Sequence, residues 1–156
     1  VIYGSHQGED AARVFETIGL KNLDIHTTAD KLNNPFMHVV HFDVTLRDKV
    51  TVGGVEHRFR GNPLTAVTYW QTNNEVFAEG RDWGHFGRIL NQTVVCLPSL
   101  HVIDDGYEVC GSLFTPQDGN ALLSSVSAAL WLMDPATYKD KVKEIFFKLP
   151  FIFDEV

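Results

Sequence analysis

A chain of 156 residues has the length of one domain. A hydrophobic share of 44 % and a charged share of 21 % are globular values and exclude an intrinsically disordered chain. Thirteen Lys and Arg against 20 Asp and Glu leave a formal charge of -7, which argues against wholesale binding to nucleic acid or to an anionic membrane.

In chain order, Val1-Ile2-Tyr3 is a short apolar run that leads into Gly4-Ser5-His6-Gln7-Gly8. A helix follows, with Ala11, Ala12, Val14, Phe15 and Ile18 apolar and Gly19 as its stop. Thr27-Thr28-Ala29-Asp30 reads as the cap of a short second helix that ends before Pro35. From His41 to Arg60 the pattern predicts two strands joined at Gly53-Gly54, with Val44, Leu46, Val50, Val52, Val55 and Phe59 on one face. The opposite face of that hairpin carries Arg47, Lys49, Arg58 and Arg60.

A second hairpin is expected from Leu64 to Glu79 around Asn73-Asn74, setting Trp70 opposite Phe77. A helix weakened by Gly84 and Gly87 is expected between Arg81 and Asn91. A third hairpin, Thr93 to Phe114 around Asp105-Gly106, places Val102 opposite Val109, His101 opposite Cys110, and Cys96 opposite Thr115. Thr115-Pro116 resembles an N-cap and N1 proline for a helix that runs to Met133. Asp134-Pro135 starts another helix, ending before Pro150, and Leu149 to Phe153 reads as an extended apolar tail. Hairpins followed by helices predict a single α+β domain over 1–156, an antiparallel sheet covered on one face by helices, with a C-terminal helical pair.

No segment approaches the ~20 apolar residues that span a bilayer, since Gly119 to Met133 is interrupted by Ser124, Ser125 and Ser127. No basic segment precedes an apolar run as in a signal peptide, and the Val1 start reads as a processed or excised chain. Two cysteines, Cys96 and Cys110, suit a reducing compartment such as the cytoplasm, or a particle assembled there. They also exclude a four-cysteine zinc site.

Four constellations carry chemical potential. The like-charged pairs Arg47–Arg60 and Lys49–Arg58 across the first hairpin call for an anionic neighbour, and without interleaved aromatics an acidic protein surface fits better than nucleic acid. The C-terminal helix is apolar almost all round, so Leu123, Trp131 and Leu132, with Phe151 and Phe153 of the tail, read as a homo-oligomer interface. His101 opposite Cys110, with Glu108 diagonal, has the residue types of a thiolate–imidazole pair but no cleft or helix N-terminus to activate it. His38 and His41 fall on opposite strand faces and cannot share a metal; no metal, cofactor or catalytic motif is expected.

The reading that follows is a non-catalytic structural or assembly domain, self-associating through its C-terminal helices and binding an acidic partner through the basic hairpin. A processed subunit of a larger, for example viral, particle is one setting for it. An alternative is a small-ligand enzyme or binder with an aromatic pocket between sheet and helices, drawn from Tyr69, Trp70, Phe77 and Trp83, with Asp82, His85 or His57 as acid–base groups. A further alternative rests on the first eight residues, which resemble the strand-loop-helix that opens flavodoxin-like domains; the resemblance implies a phosphate-binding loop for FMN.

Overall fold

A computed structural model describes residues 2–3, 6–29, 37–62, 64–80, 82, 92–116, 119–146, 148 and 153–156. They group into two compact units, Val1–Pro35 and Phe36–Val156.

In the first unit, β1 (Ile2–Tyr3) pairs antiparallel with β2 (Thr28–Ala29), and α1 (Gln7–Thr17) lies between them in sequence. Glu9 and Asp10 oppose the positive end of the α1 dipole. Gly19, at φ 85°, ends the helix in the left-handed conformation, with its N–H on Glu16 O and the Leu20 N–H on Phe15 O. The helix and its glycine stop are where the sequence put them. The second helix expected before Pro35 falls on residues 30–34, outside the described residues, and Thr27 is engaged elsewhere. Its hydroxyl accepts the Gly8 N–H at 3.0 Å, and the next two residues extend as β2.

The second unit is built on a mixed sheet of five strands: β3 (Met37–Thr45), β4 (Thr65–Thr68), β5 (Thr93–Cys96), β6 (His101–Ile103) and β7 (Glu108–Pro116). β7 is the centre, paired along its whole length with β3 and, on its other side, with β5 and then β6. β5 also pairs with β4, in parallel. The fold is therefore α+β with a mostly antiparallel sheet, but one pair requires a crossover where a hairpin was expected.

Two expected hairpins are replaced by helices. Val52–Arg60 forms α2, because Thr51 adopts an extended conformation and accepts the Gly54 N–H at 3.1 Å, an N-cap. Neither Gly53 nor Gly54 takes the positive φ that a two-residue hairpin turn demands. Val55 and Phe59, one helical turn apart, both turn to the core. Asn73–Gly80 forms α3 in the same way: the Thr72 hydroxyl accepts the Glu75 N–H at 3.3 Å, an N-cap, and donates to the Glu75 carboxylate at 2.8 Å. Trp70 and Phe77 are accordingly not cross-strand partners. The indole N–H of Trp70 donates to Glu79 at 2.6 Å, while Phe77 packs on the core.

The third hairpin forms in the expected register, with His101 opposite Cys110 and Val102 opposite Val109. Asp104, Asp105 and Gly106 turn it with positive φ. That register stops at a single 3-10 turn over Leu97–Ser99. Beyond it β5 aligns Val94 with Phe114, and Cys96 sits beside Thr68 of β4 instead of opposite Thr115. Thr115 and Pro116 end β7, pairing with His38 and Met37, so they do not cap a helix. α4 (Gly119–Met133) starts later and ends at the expected residue, and α5 (Tyr138–Phe146) packs beside it as the expected C-terminal pair. Asp134 organises the joint: hydrogen bonds from the Thr137 hydroxyl, the Lys141 ammonium and the Ala136 N–H lower its pKa to about 2.

Alternating side chains give the sheet two apolar faces, and helices lie on both, not on one. Met37, Ala66, Val94, Cys96 and Phe114 pack with Val76 of α3 and with Val156. Val67, Val95 and Val109 pack on the other side with Val55 of α2. The outer edge of β4 is closed by the tail: Val67 N–H donates to Asp154 O at 3.1 Å and Val156 N–H donates to Val67 O at 2.9 Å. Gln92, 1 % exposed, holds that tail in place. Its amide donates to Phe153 O and accepts the Phe153 N–H, both at 2.8 Å, and donates to Thr65 O at 3.3 Å.

Most of the expected helix over 81–91, the loop residues Gly4 and Ser5, and tail positions 149–152 lie outside the described residues.

Candidate functional site

A concavity lies between β3, the chain segment that follows it, and α2. Its volume is about 480 Å³, and Phe42, Val55, Phe59 and Val109 form its apolar floor. Phe42 and Phe59 meet edge to face with ring centroids 6.4 Å apart. Phe42 reaches this position because its cross-strand partner is Gly111. A Cβ there would stand 3.0 Å from the Phe42 ring and 2.9 Å from Leu100 Cδ2.

The rim comes from the segment after β3. Leu46 N–H donates to Tyr107 O at 2.7 Å and Val50 N–H donates to Gly106 O at 2.9 Å, so the segment is tied at both ends to the β6–β7 turn. Gly106, at φ 102°, allows that approach, since a Cβ would lie 3.1 Å from Val50 O. Arg47 and Asp48 of this segment line the cleft, joined by Arg58 and Asn62 from α2 and beyond.

The four basic residues expected on one hairpin face are thus distributed, because the hairpin is a strand, a loop and a helix. Arg47 and Arg58 converge on the cleft. The Lys49 ammonium lies over the Tyr107 ring, 5.2 Å from its centroid. Arg60 is neutralised within the fold by Glu56 at 2.8 Å and Glu155 at 3.0 Å, hydrogen bonds that raise its pKa above the usual guanidinium value. The like-charge pairing that called for an acidic partner is absent.

A smaller cleft of about 150 Å³ opens on the opposite face, at the carboxyl end of β5. His41 Nδ1 and Ser112 Oγ are 2.9 Å apart across β3 and β7. Ser112 N–H donates to Ser99 Oγ at 2.8 Å, and the Ser99 hydroxyl donates to Cys96 O at 2.7 Å. These bonds fix a strand-to-turn junction, and the space is small. Further along this face His101, Cys110 and Asp43 lie in one cross-strand row. Glu108 does not orient the imidazole as a thiolate–imidazole pair needs; the adjacent charge of Asp43 raises its pKa instead. Both cysteines are free thiols. Among the described residues no group of three or more His, Cys, Asp or Glu is placed to hold a metal.

Of the expected interface residues, Trp131 and Leu132 are exposed, while Phe153 packs against the core and has its backbone held by Gln92. Phe151 and the side chain of Leu123 lie outside what is described. The aromatics expected to form a pocket do not gather: Tyr69 and Trp70 face outward, Phe77 is in the core, and Trp83 is outside the described residues. Asp82 and His57 are exposed, and His85 is outside the described residues. β1 pairs antiparallel with β2, unlike the parallel sheet implied by the flavodoxin-like resemblance.

Sequence reasoning named Arg47 and Arg58 but missed the cleft. The signal that would have found it is Thr51 with Val55 and Phe59 beyond, a cap and a helical apolar spacing that compete with the Gly53-Gly54 turn. The sequence matches no known protein family and no curated protein. Among the described residues no helix is long and apolar enough to cross a membrane.

Proposed function

We propose that the chain is a non-catalytic assembly domain that pairs with a second copy of itself through the outer face of α4. The observation that supports this is the exposure of Trp131, Leu132 and Met133, at 48 %, 74 % and 81 %, at the end of a helix. α4 contains no charged residue, whereas α5 beside it carries Lys139, Asp140, Lys141, Lys143 and Glu144. Two copies of a chain with net charge -7 repel one another over most of their surfaces. An uncharged surface that ends in an exposed tryptophan is where such copies meet at least electrostatic cost, and burying it supplies the driving force.

Sedimentation of the wild-type chain and of Trp131→Glu tests the reading. The wild type is expected as a dimer or larger, and the variant as a folded monomer. Leu132→Glu serves as the second variant, because that side chain is more exposed than Trp131 and its replacement spares the core. A wild type that is monomeric at every concentration sinks the proposal.

The cleft beneath α2 favours a second reading, in which the same domain binds a small ligand. A volume of about 480 Å³ falls within the range of roughly 300–1,000 Å³ typical of ligand sites. Its apolar floor and few polar rim groups match the usual composition of such sites.

A further inference from the structure

We propose that the cleft beneath α2 takes an amphipathic monoanion: an apolar body on the sheet and a single carboxylate held by Arg47 and Arg58. This rests on the reading of the cleft as a ligand site and adds the class of ligand. The floor fixes the first half of that class. Phe42, Phe59, Val55 and Val109 offer only carbon surface, so the buried part of the ligand is hydrocarbon.

The rim fixes the second half. Among the described residues neither Arg47 nor Arg58 is in an ion pair, although Arg60, on the same helix as Arg58, is paired with two carboxylates. Acidic residues outnumber basic ones in this chain, 20 to 13, so the lack of internal partners is not a shortage of carboxylates. A guanidinium matches a carboxylate in shape through two parallel N–H···O bonds, and both arginines are exposed at the rim, where a ligand's head group can reach them. Asp48 shares the rim with the two arginines, leaving one net positive charge. One charge selects a monoanion over a dianionic phosphate and disfavours a cation.

The test is a methyl-resolved NMR titration of the full chain with octanoate and, in parallel, with octanol. Val55 and Val109 report the cleft, and Val76 and Val94 report the opposite face. Octanoate is expected to give saturable shifts at Val55 and Val109 only, and to bind about tenfold or more tightly than octanol. The double variant Arg47→Ser/Arg58→Ser is expected to lose that factor for octanoate and to bind octanol as before. Unchanged Val76 and Val94 signals show that the variant is folded. If octanoate and octanol bind the cleft equally, the anion selectivity is overturned and the ligand site stands. Absence of saturable shifts with either probe, or shifts spread to Val76 and Val94, overturns both.

Discussion

The face of the sheet that carries Ala66, Val94 and Phe114 is sealed by α3 and by the tail segment at Phe153–Val156. The face that carries Val67, Val95 and Val109 meets α2 across a cleft of about 480 Å³. Both faces come from the same strands, residue by residue in alternation, so strand propensity does not distinguish them. The difference lies in what closes each one. On the sealed side a buried amide, Gln92, holds the segment Phe153–Val156 as a sheet neighbour. On the open side a glycine, Gly111, lets the Phe42 ring approach the strand closely beside the cleft.

The largest effect is expected from breaking the seal. Gln92→Leu removes the hydrogen bonds that the buried amide makes to the Phe153 backbone and to Thr65 O. Urea unfolding should show a loss of about 2–4 kcal/mol. A loss within the scatter of a surface substitution would show that the tail does not need the clamp.

On the open side, Gly111→Ala forces a methyl group against Leu100 and the Phe42 ring. A loss of about 1–3 kcal/mol is expected, with displaced methyl signals for Val55 and Val109 and undisturbed ones for Val76. Equal displacement on both faces would mean that the two are mechanically one core.

The smallest effect is expected at Arg60, which joins α2 of the open side to Glu155 of the tail. Its side chain is one-third exposed, so solvent screens the pair. Arg60→Met should cost no more than about 1 kcal/mol, and the difference should vanish in high salt. A larger, salt-independent loss would identify packing of the side-chain stem as its main contribution.

The same comparison shows what the sequence makes legible. α1 with its glycine stop, the β6–β7 register and the end of α4 are local patterns, and each is where the sequence places it, whereas β3 shares only His41–Thr45 with the strand expected to run on to Gly53. The two misread segments have the same cause. Gly53-Gly54 and Asn73-Asn74 are turn-forming pairs, but each follows a threonine whose hydroxyl captures an amide three residues on. Capping turns the chain into a helix before a hairpin can close. A turn dipeptide preceded by such a threonine is an ambiguous signal. The cleft was less legible still. Its floor joins Phe42 to Phe59 and Val109, and its rim depends on backbone bonds to Gly106 and Tyr107, none of which any local pattern encodes. Gln92 is a polar residue that composition assigns to the surface, and only the position of its distant partner explains its burial.

That distance has a consequence for how the protein is made. Gln92 and Phe153 are 61 residues apart, so on the ribosome the amide and the outer edge of β4 emerge long before the segment that satisfies them. Until then β4 presents a bare strand edge beside an unmet polar group, the kind of surface that recruits strands from neighbouring nascent chains. The window of danger is set by translation rate rather than by equilibrium stability. Chains slowed between Gln92 and Phe153 should therefore aggregate more than chains slowed before Thr65, though the finished molecules are identical.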